Sequence, residues 1–345
     1  MEIKKIAVVG VGAIGGLLGA YLTRGGYDVT ILSCFRRENA EYMAANGITV
    51  DGARGQFHVA VNSRHIDDLA EGELFDCFMV ALKGNDTEAV MTRLRPHLVG
   101  DGCCLTFQNG MNEDLLAGIL GKERIVYAVS RAGGALTAPG HVSDHDGEFV
   151  IGEGDGTVSP RTEQLRDILS CARPTTISGD ILAVKWDKLS AVALSVPACT
   201  VSGLYLGDVF FHEKAQQLFG LLAMELFRVA AGSGHPLERI FDRTPEQWLP
   251  IAAGRENGAL DPASAAIHFP PGVVDAYTQD IRRGRPLEID YTNGAVVRIG
   301  AACGVPTPVN RRLIQAVRDI ESDTAQPGEE LLKALIQQSA GDLTV

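Results

Sequence analysis

Apolar positions in the first half of the chain fall in short runs bounded by glycines and polar turns. Ile3, Ile6, Ala7, Val8 and Val9 form one such run, rich in branched side chains, which reads as a buried strand of a parallel sheet. Runs at 28–32, 74–82, 102–107 and 124–129 predict further strands, and helical spacing predicts helices over 13–23, 38–46 and 86–94. Segments 48–50 and 56–61 alternate and predict a short hairpin around Asp51-Gly52. Over 130–156, glycines alternate with short apolar pieces, as in antiparallel strands and loops. A helix over 160–171, a strand over 175–177 and a helix start at Ser178-Gly179-Asp180 follow. The class this predicts is α/β.

Beyond Asp180 the texture changes to long helical patterns, over 181–196, 213–233, 263–283, 289–303 and 309–322. The expected division is an α/β domain over 1–178 and an all-α domain over 179–345, with the ligand in the cleft between them. A chain of 345 residues fits two domains.

The first strand runs directly into Gly10-Val11-Gly12-Ala13-Ile14-Gly15 and then into a helix. Strand, glycine turn and helix in this order are the context of the dinucleotide fingerprint. Gly10 allows the tight turn, Gly12 lets backbone approach a pyrophosphate, and Gly15 lets the helix pack on the strand. The helix N-terminus, through Ala13 and Ile14, then faces the phosphates with free N–H groups. After the second strand comes Ser33-Cys34-Phe35-Arg36-Arg37, with no acid until Glu38. An acid there would favour NAD; a small polar residue and two guanidinium groups suit a 2′-phosphate, so NADP(H) is expected, with NAD as the alternative. The lesser reading is that Arg36 and Arg37 are a solvated start to the next helix.

Net charge is −12, against a nucleic-acid or anionic-membrane partner, and no apolar run reaches membrane-span length. A core strand at the N-terminus leaves no room for a signal peptide. Seven scattered cysteines fit a reduced, cytoplasmic protein, and no ligand cluster suggests a metal.

Carbonyl reduction by a nicotinamide also needs a proton donor at oxygen. Lys188, Val192 and Val196 share one helix face, so Lys188 on an otherwise apolar face either snorkels to solvent or serves a site. Glu288 and Asp290, after Pro286, read as first-turn acids of a helix, a reading that does not say which points inward. Lys83 follows a strand end, where a cofactor ribose or nicotinamide lies in open α/β sheets, or is simply solvated. Asn109, in Gln108-Asn109-Gly110-Met111, is placed to orient a ligand or a Lys.

Taken in order, the glycine turn, Lys83, Gln108 to Met111, Lys188-Leu189, Gln279-Asp280-Ile281, Glu288-Ile289-Asp290-Tyr291-x-Asn293-Gly294 and Gly304-Val305-Pro306-Thr307-Pro308 resemble the 2-dehydropantoate 2-reductase (ketopantoate reductase) family over nearly the whole chain. The resemblance implies an N-terminal Rossmann domain, an all-helical C-terminal domain of the 6-phosphogluconate-dehydrogenase-like type, and NADPH-dependent reduction of a 2-oxo acid. It implies Lys188 as general acid and Glu288 as the carboxylate bonding the substrate hydroxyl and the lysine. It implies Asn109 near nicotinamide and substrate, and Lys83 near the ribose. Family members are often dimers, but nothing in this chain fixes an interface.

The chain departs from the family pattern in its substrate contacts. Val192 and Val196 stand where the family has two asparagines, and Ala276 where it has a serine. Cys34 stands where the family usually has an arginine for the 2′-phosphate, with Arg36 and Arg37 as substitutes. Loss of three polar contacts predicts a small-molecule carbonyl substrate less polar or bulkier than ketopantoate. Arg131, Ser195, His268 and Asp275 are candidate replacement contacts. The competing readings are a genuine 2-dehydropantoate 2-reductase of pantothenate biosynthesis and a non-catalytic NADP-binding sensor.

Overall fold

In the computed structural model, which describes residues 2–131, 133–259 and 272–342, the first apolar run is a strand and the glycine turn caps the helix after it. The chain forms two compact units, Met1–Gln108 with Asn112–Lys185, and Asn109–Met111 with Trp186–Val345. The division falls between Lys185 and Trp186, inside a continuous helix, later than the Ser178 turn.

Unit 1 contains, in order, β1 (Lys5–Val9), α1 (Ala13–Arg24), β2 (Asp28–Ser33), α2 (Arg37–Asn46), β3 (Ile48–Gly52), β4 (Phe57–Val59), β5 (Asn62–His65), β6 (Phe75–Val80), α3 (Thr87–Leu94), β7 (Leu98–Thr106), α4 (Glu113–Leu120), β8 (Ile125–Ser130), β9 (Gly134–Ala138), β10 (His141–Asp144), β11 (Phe149–Gly152), α5 (Pro160–Ser170) and β12 (Thr175–Ile177). The large sheet runs β12-β11-β8-β7-β6-β1-β2-β5, with β11 antiparallel to β8. The other pairs in it are parallel. β1 therefore lies between β2 and β6, where the strand order reverses and α/β folds bind ligands.

A second sheet, β4-β3-β10-β9, contains the expected hairpin of β3 and β4. α1 packs on both sheets. A Cβ on Gly19 would lie 2.3 Å from the Ile31 side chain of β2, and one on Gly16 2.7 Å from Val142 of β10. That explains a helix buried without a break from Gly15 to Leu22. β5 was not anticipated: its sequence Asn-Ser-Arg-His is polar because it is an edge strand, paired only with β2.

Helices dominate unit 2. α6 (Ile181–Ser202) crosses the division and continues through Pro197, beyond the expected end at 196. α7 (Glu213–Gly232), α8 (Pro245–Ala252), α9 (Ala276–Arg282), α10 (Asn293–Cys303), α11 (Pro308–Glu321) and α12 (Glu329–Ser339) follow. Trp186, Leu222, Phe219, Trp248 and Leu313 are among the residues of their common core.

Two expected helices differ. Of 263–283, the described residues are helical only over Ala276–Arg282, after an Asp275 cap, and 260–271 lie outside the description. α10 begins at Asn293, not at 289, so Pro286, Glu288 and Asp290 precede the helix rather than forming its first turn. A turn holds them instead, with the Tyr291 N–H donating to the Glu288 carbonyl at 2.9 Å and the Gly294 N–H to the Ile289 carbonyl at 2.9 Å. α8 and α12 were not expected.

Candidate active site

The β1–α1 turn of unit 1 meets the geometric demands of a dinucleotide cradle. Gly10 has φ +109°, a backbone conformation that L side chains rarely adopt, and a Cβ there would lie 2.8 Å from the Ala81 carbonyl oxygen. A Cβ on Gly15 would lie 2.0 Å from the Gly10 carbonyl oxygen. Gly12 differs: nothing lies within 4 Å of a Cβ built on it, and it is exposed. The space above Gly12 is thus open, while its neighbours are glycine for internal reasons. Gly12 caps α1 without a side-chain bond, and the first turn holds no acid, so the N–H groups around Ala13 and Ile14 face that space with the helix dipole behind them. These residues fit a bound pyrophosphate.

The end of β2 sorts the residues expected to read the ribose. Ser33 is buried and its hydroxyl donates to the Arg36 carbonyl at 2.8 Å, closing the turn. Cys34 is also buried, and burial pushes its thiol up to about 12, so it is a neutral group. Arg37 lies within 2.6 Å of one Asp68 oxygen and 2.5 Å of the other, and 3.7 Å from Asp67. The Arg37 hydrogen bond holds the Asp68 carboxyl below its ordinary range. Arg36 is exposed, and its guanidinium has no hydrogen bond or ion pair among the described residues. Of the two arginines, Arg36 is therefore the one available to an added phosphate. Phe35, 62% exposed beside it, gave no signal in the sequence beyond its position.

At the ends of β6 and β7, Lys83 is half-buried at the head of a short turn, and the Asp86 N–H donates to its carbonyl at 3.1 Å. Gln108, the last residue before the chain leaves unit 1, donates to the Leu82 carbonyl at 3.1 Å and the Thr87 hydroxyl at 2.7 Å. It fixes the loop that carries Lys83, a role its sequence position did not reveal.

Asn109, Gly110 and Met111 belong to unit 2. The Met111 N–H donates to the Tyr291 carbonyl at 3.3 Å. Gly110 has φ +84°, and a Cβ on it would lie 1.9 Å from that same carbonyl oxygen. The Asn109 loop is thereby laid against the turn that carries Glu288. Glu288 is 5% exposed, and its carbonyl and that of Ile289 accept from the Thr292 hydroxyl at 3.5 and 3.4 Å. Thr292 in turn meets the Tyr277 hydroxyl at 2.5 Å, tying this turn to α9 and to Ala276 at its start. Burial first, and the nearby Glu288 carboxylate among other causes, raise the Tyr277 hydroxyl far above the ordinary tyrosine value.

Lys188 lies half-buried near the start of α6 in unit 2, with Val192 buried and Val196 half-buried at the next two turns of the same face. The fully sequestered lysine of this helix is Lys185, paired with Glu113 at 2.6 Å within unit 1. The structure also accounts for the proposed replacement contacts. Ser195 donates to the Ala191 carbonyl at 2.7 Å on its own helix. Asp275 caps α9 through the Tyr277 and Thr278 N–H groups, and Arg131 pairs with Glu148 at 3.0 Å. His268 lies outside the described residues.

Both parts of the chain match known proteins. The model of the ketopantoate reductase PanE/ApbA family matches residues 6–156, and that of its C-terminal domain matches residues 180–321. The 2-dehydropantoate 2-reductase of Archaeoglobus fulgidus is 28% identical over 93% of this chain and 99% of its own. That of Aquifex aeolicus is 24% identical over 92% and 96%. A PanE/ApbA family ketopantoate reductase from Ralstonia eutropha superposes with a TM-score of 0.76 at 26% identity, over 93% of this chain and 99% of that one. A D-mandelate dehydrogenase solved with NADH and anilino(oxo)acetate shares the fold, with a TM-score of 0.78 at 21% identity over 93% and 99%. No helix among the described residues is long and apolar enough to cross a membrane. With both domain models matched in order along most of its length, the chain belongs to the ketopantoate reductase family and is an oxidoreductase acting on CH–OH groups.

Proposed function

We propose that this protein reduces the carbonyl of a 2-oxo acid with NADPH, and that its substrate is less polar than ketopantoate. The observation that carries the reading is in unit 2. The helix bearing Lys188 and the turn bearing buried Glu288 are accompanied by the Asn109 loop, while Val192 and Val196 line the Lys188 face. A nicotinamide, when bound, supplies the hydride to the carbonyl carbon.

The remaining chemistry falls to side chains of the chain. Lys188 carries the proton on Nζ and delivers it to the carbonyl oxygen, and its charge attracts the substrate carboxylate. Glu288 accepts a hydrogen bond from the hydroxyl that forms, and the Asn109 amide orients substrate. Gly12, Ala13 and Ile14 hold the pyrophosphate through backbone N–H groups, Lys83 serves the ribose, and Arg36 meets the 2′-phosphate. Val192, Val196 and Ala276 offer no hydrogen bonds, so a hydroxylated substrate side chain would be desolvated without compensation.

The test is turnover with NADPH across 2-oxo acids bearing apolar, aromatic or hydroxylated side chains. An apolar or aromatic member should exceed ketopantoate in kcat/KM by about tenfold or more. Ketopantoate as the best substrate would instead make this an ordinary member of its family that tolerates the valines. Lys188→Ala should lower kcat by about 100-fold or more and leave NADPH affinity within a few-fold. A sensor would show no turnover to lose.

A further inference from the structure

Pro197 lies inside α6. Proline has no N–H, so the Ala193 carbonyl, one turn earlier, loses its helical donor. Ala193 is fully buried, where an orphaned carbonyl is strongly disfavoured. The missing donor comes from elsewhere in unit 2. Asn293, the first residue of α10, donates from Nδ2 to the Ala193 carbonyl at 2.9 Å.

The same amide nitrogen donates to Asn310 Oδ1 at 2.9 Å, and Asn310 Nδ2 donates to Glu225 Oε2 at 2.7 Å. The Glu225 carboxylate also accepts the Val309 and Asn310 N–H groups at 2.7 and 2.9 Å, at the start of α11. Asn293, Asn310 and Glu225 are all fully buried. Together they make a closed polar chain from one carbonyl of the Lys188 helix to the N-terminus of α11.

Asn293 is also the residue that ends the Glu288 turn. Its backbone follows Thr292 directly, and the Thr292 hydroxyl is bonded to Tyr277 and to the Glu288 carbonyl. One residue thus has its main chain in the segment carrying Glu288 and its side chain on the helix carrying Lys188. An ordinary residue at position 197 would satisfy Ala193 within the helix and leave Asn293 as a second donor to a carbonyl already bonded. The pairing of Pro197 with Asn293 converts a local helix bond into a bond between those two segments.

We propose that Asn293 is a positioning residue of the reaction: by bonding the Ala193 carbonyl that Pro197 leaves open, it sets the Glu288 turn in register with the helix bearing Lys188. The proposal rests on the functional reading above, in which those two side chains act.

The experiment compares the full-length wild type with Asn293→Ala, Pro197→Ala and the double variant. It reads thermal stability, NADPH affinity by fluorescence titration, kcat and KM for the best 2-oxo acid, and the pH profile of kcat. Asn293→Ala should lower Tm by about 3–8 °C, because it orphans a buried carbonyl. It should lower kcat by about 10- to 100-fold and shift the kcat pH profile, with NADPH affinity within about twofold. The double variant regains an N–H at position 197 but still leaves Asn310 Oδ1 without the Asn293 donor, so Tm should recover in part while kcat stays low. It serves as the reading variant should Asn293→Ala alone fail to fold.

Recovery of kcat together with Tm in the double variant would reduce Asn293 to a structural role and overturn the proposal. So would wild-type kcat and pH profile in Asn293→Ala. Failure of the functional reading looks different: either the wild type would show no turnover, or Lys188→Ala would turn over like the wild type, whatever Asn293 does.

Discussion

Arg37 holds Nη1 2.6 and 2.5 Å from the two carboxylate oxygens of Asp68. Two adjacent arginines that look alike in sequence are therefore unlike in the fold, one paired and the other open. Arg36→Ala should weaken NADPH binding by about tenfold, ~1.4 kcal/mol, and leave NADH binding unchanged. Arg37→Ala should change NADPH binding by less than about twofold, since an exposed pair contributes little. Fluorescence titration of both variants with both cofactors decides it, and equal losses would refute the division of roles.

Gly12 and Gly15 should separate binding from folding. Gly12→Ala meets open space, so its stability should stay within about 0.5 kcal/mol of wild type while NADPH affinity falls about tenfold or more. Gly15→Ala places Cβ 2.0 Å from a backbone oxygen, and should destabilise by more than about 3 kcal/mol. Urea denaturation beside cofactor titration shows whether the two effects part in this way.

Lys185 and Glu113 form an ion pair with each side chain 3% exposed. Lys185→Met leaves a buried carboxylate without its counter-charge and should cost about 3–5 kcal/mol in urea denaturation. Adding Glu113→Leu should recover most of that loss, because the uncompensated charge is gone. A double variant no more stable than Lys185→Met would show that the pair is needed for packing, not charge balance.

Glu73 is drawn down to about 2 from an ordinary 4.5, chiefly by the Arg64 hydrogen bonds, with Lys5 also contributing. A carboxyl whose folded value is depressed adds stability above its unfolded value, and that stability disappears as pH falls through the folded one. Arg64→Leu should thus be less stable than wild type at neutral pH. The gap should close as pH falls from about 4.5 towards 2. A pH-independent gap would trace the loss to packing of the Arg64 stem.

Substitution on the apolar face tests the substrate reading directly. Val192→Asn with Val196→Asn restores amides where the family has them, and should raise kcat/KM for ketopantoate by about tenfold or more relative to an apolar 2-oxo acid. Ratios that do not move would remove those two positions from the substrate contacts.

Much was legible without coordinates. The strand, glycine turn and helix at 5–24 were expected as found, because a short apolar run of branched side chains and glycine spacing express local preferences set within a few residues. The start of α10 was misjudged, since Pro286, Glu288 and Asp290 satisfy helix-start chemistry as well as a turn does. The helix starts instead at Asn293, whose side chain bonds Ala193, a hundred residues away in sequence. β5 was missed because a polar edge strand declares itself only through the strand it pairs with.

By itself the sequence determined the class of each domain, the glycine turn after the first strand and the chemical types on offer, among them two lysines, one glutamate, one asparagine and two valines. Tertiary structure decided which copies are available. Among the described residues Arg37 is paired and Arg36 is not, Gln108 braces unit 1 while Asn109 joins unit 2, and Asn293 bonds the carbonyl whose helical donor Pro197 lacks. The reason is one of range. Periodicity and turn chemistry are local, whereas the partner of a charge or a buried carbonyl comes from wherever the fold brings a complementary group, and no spacing rule encodes that.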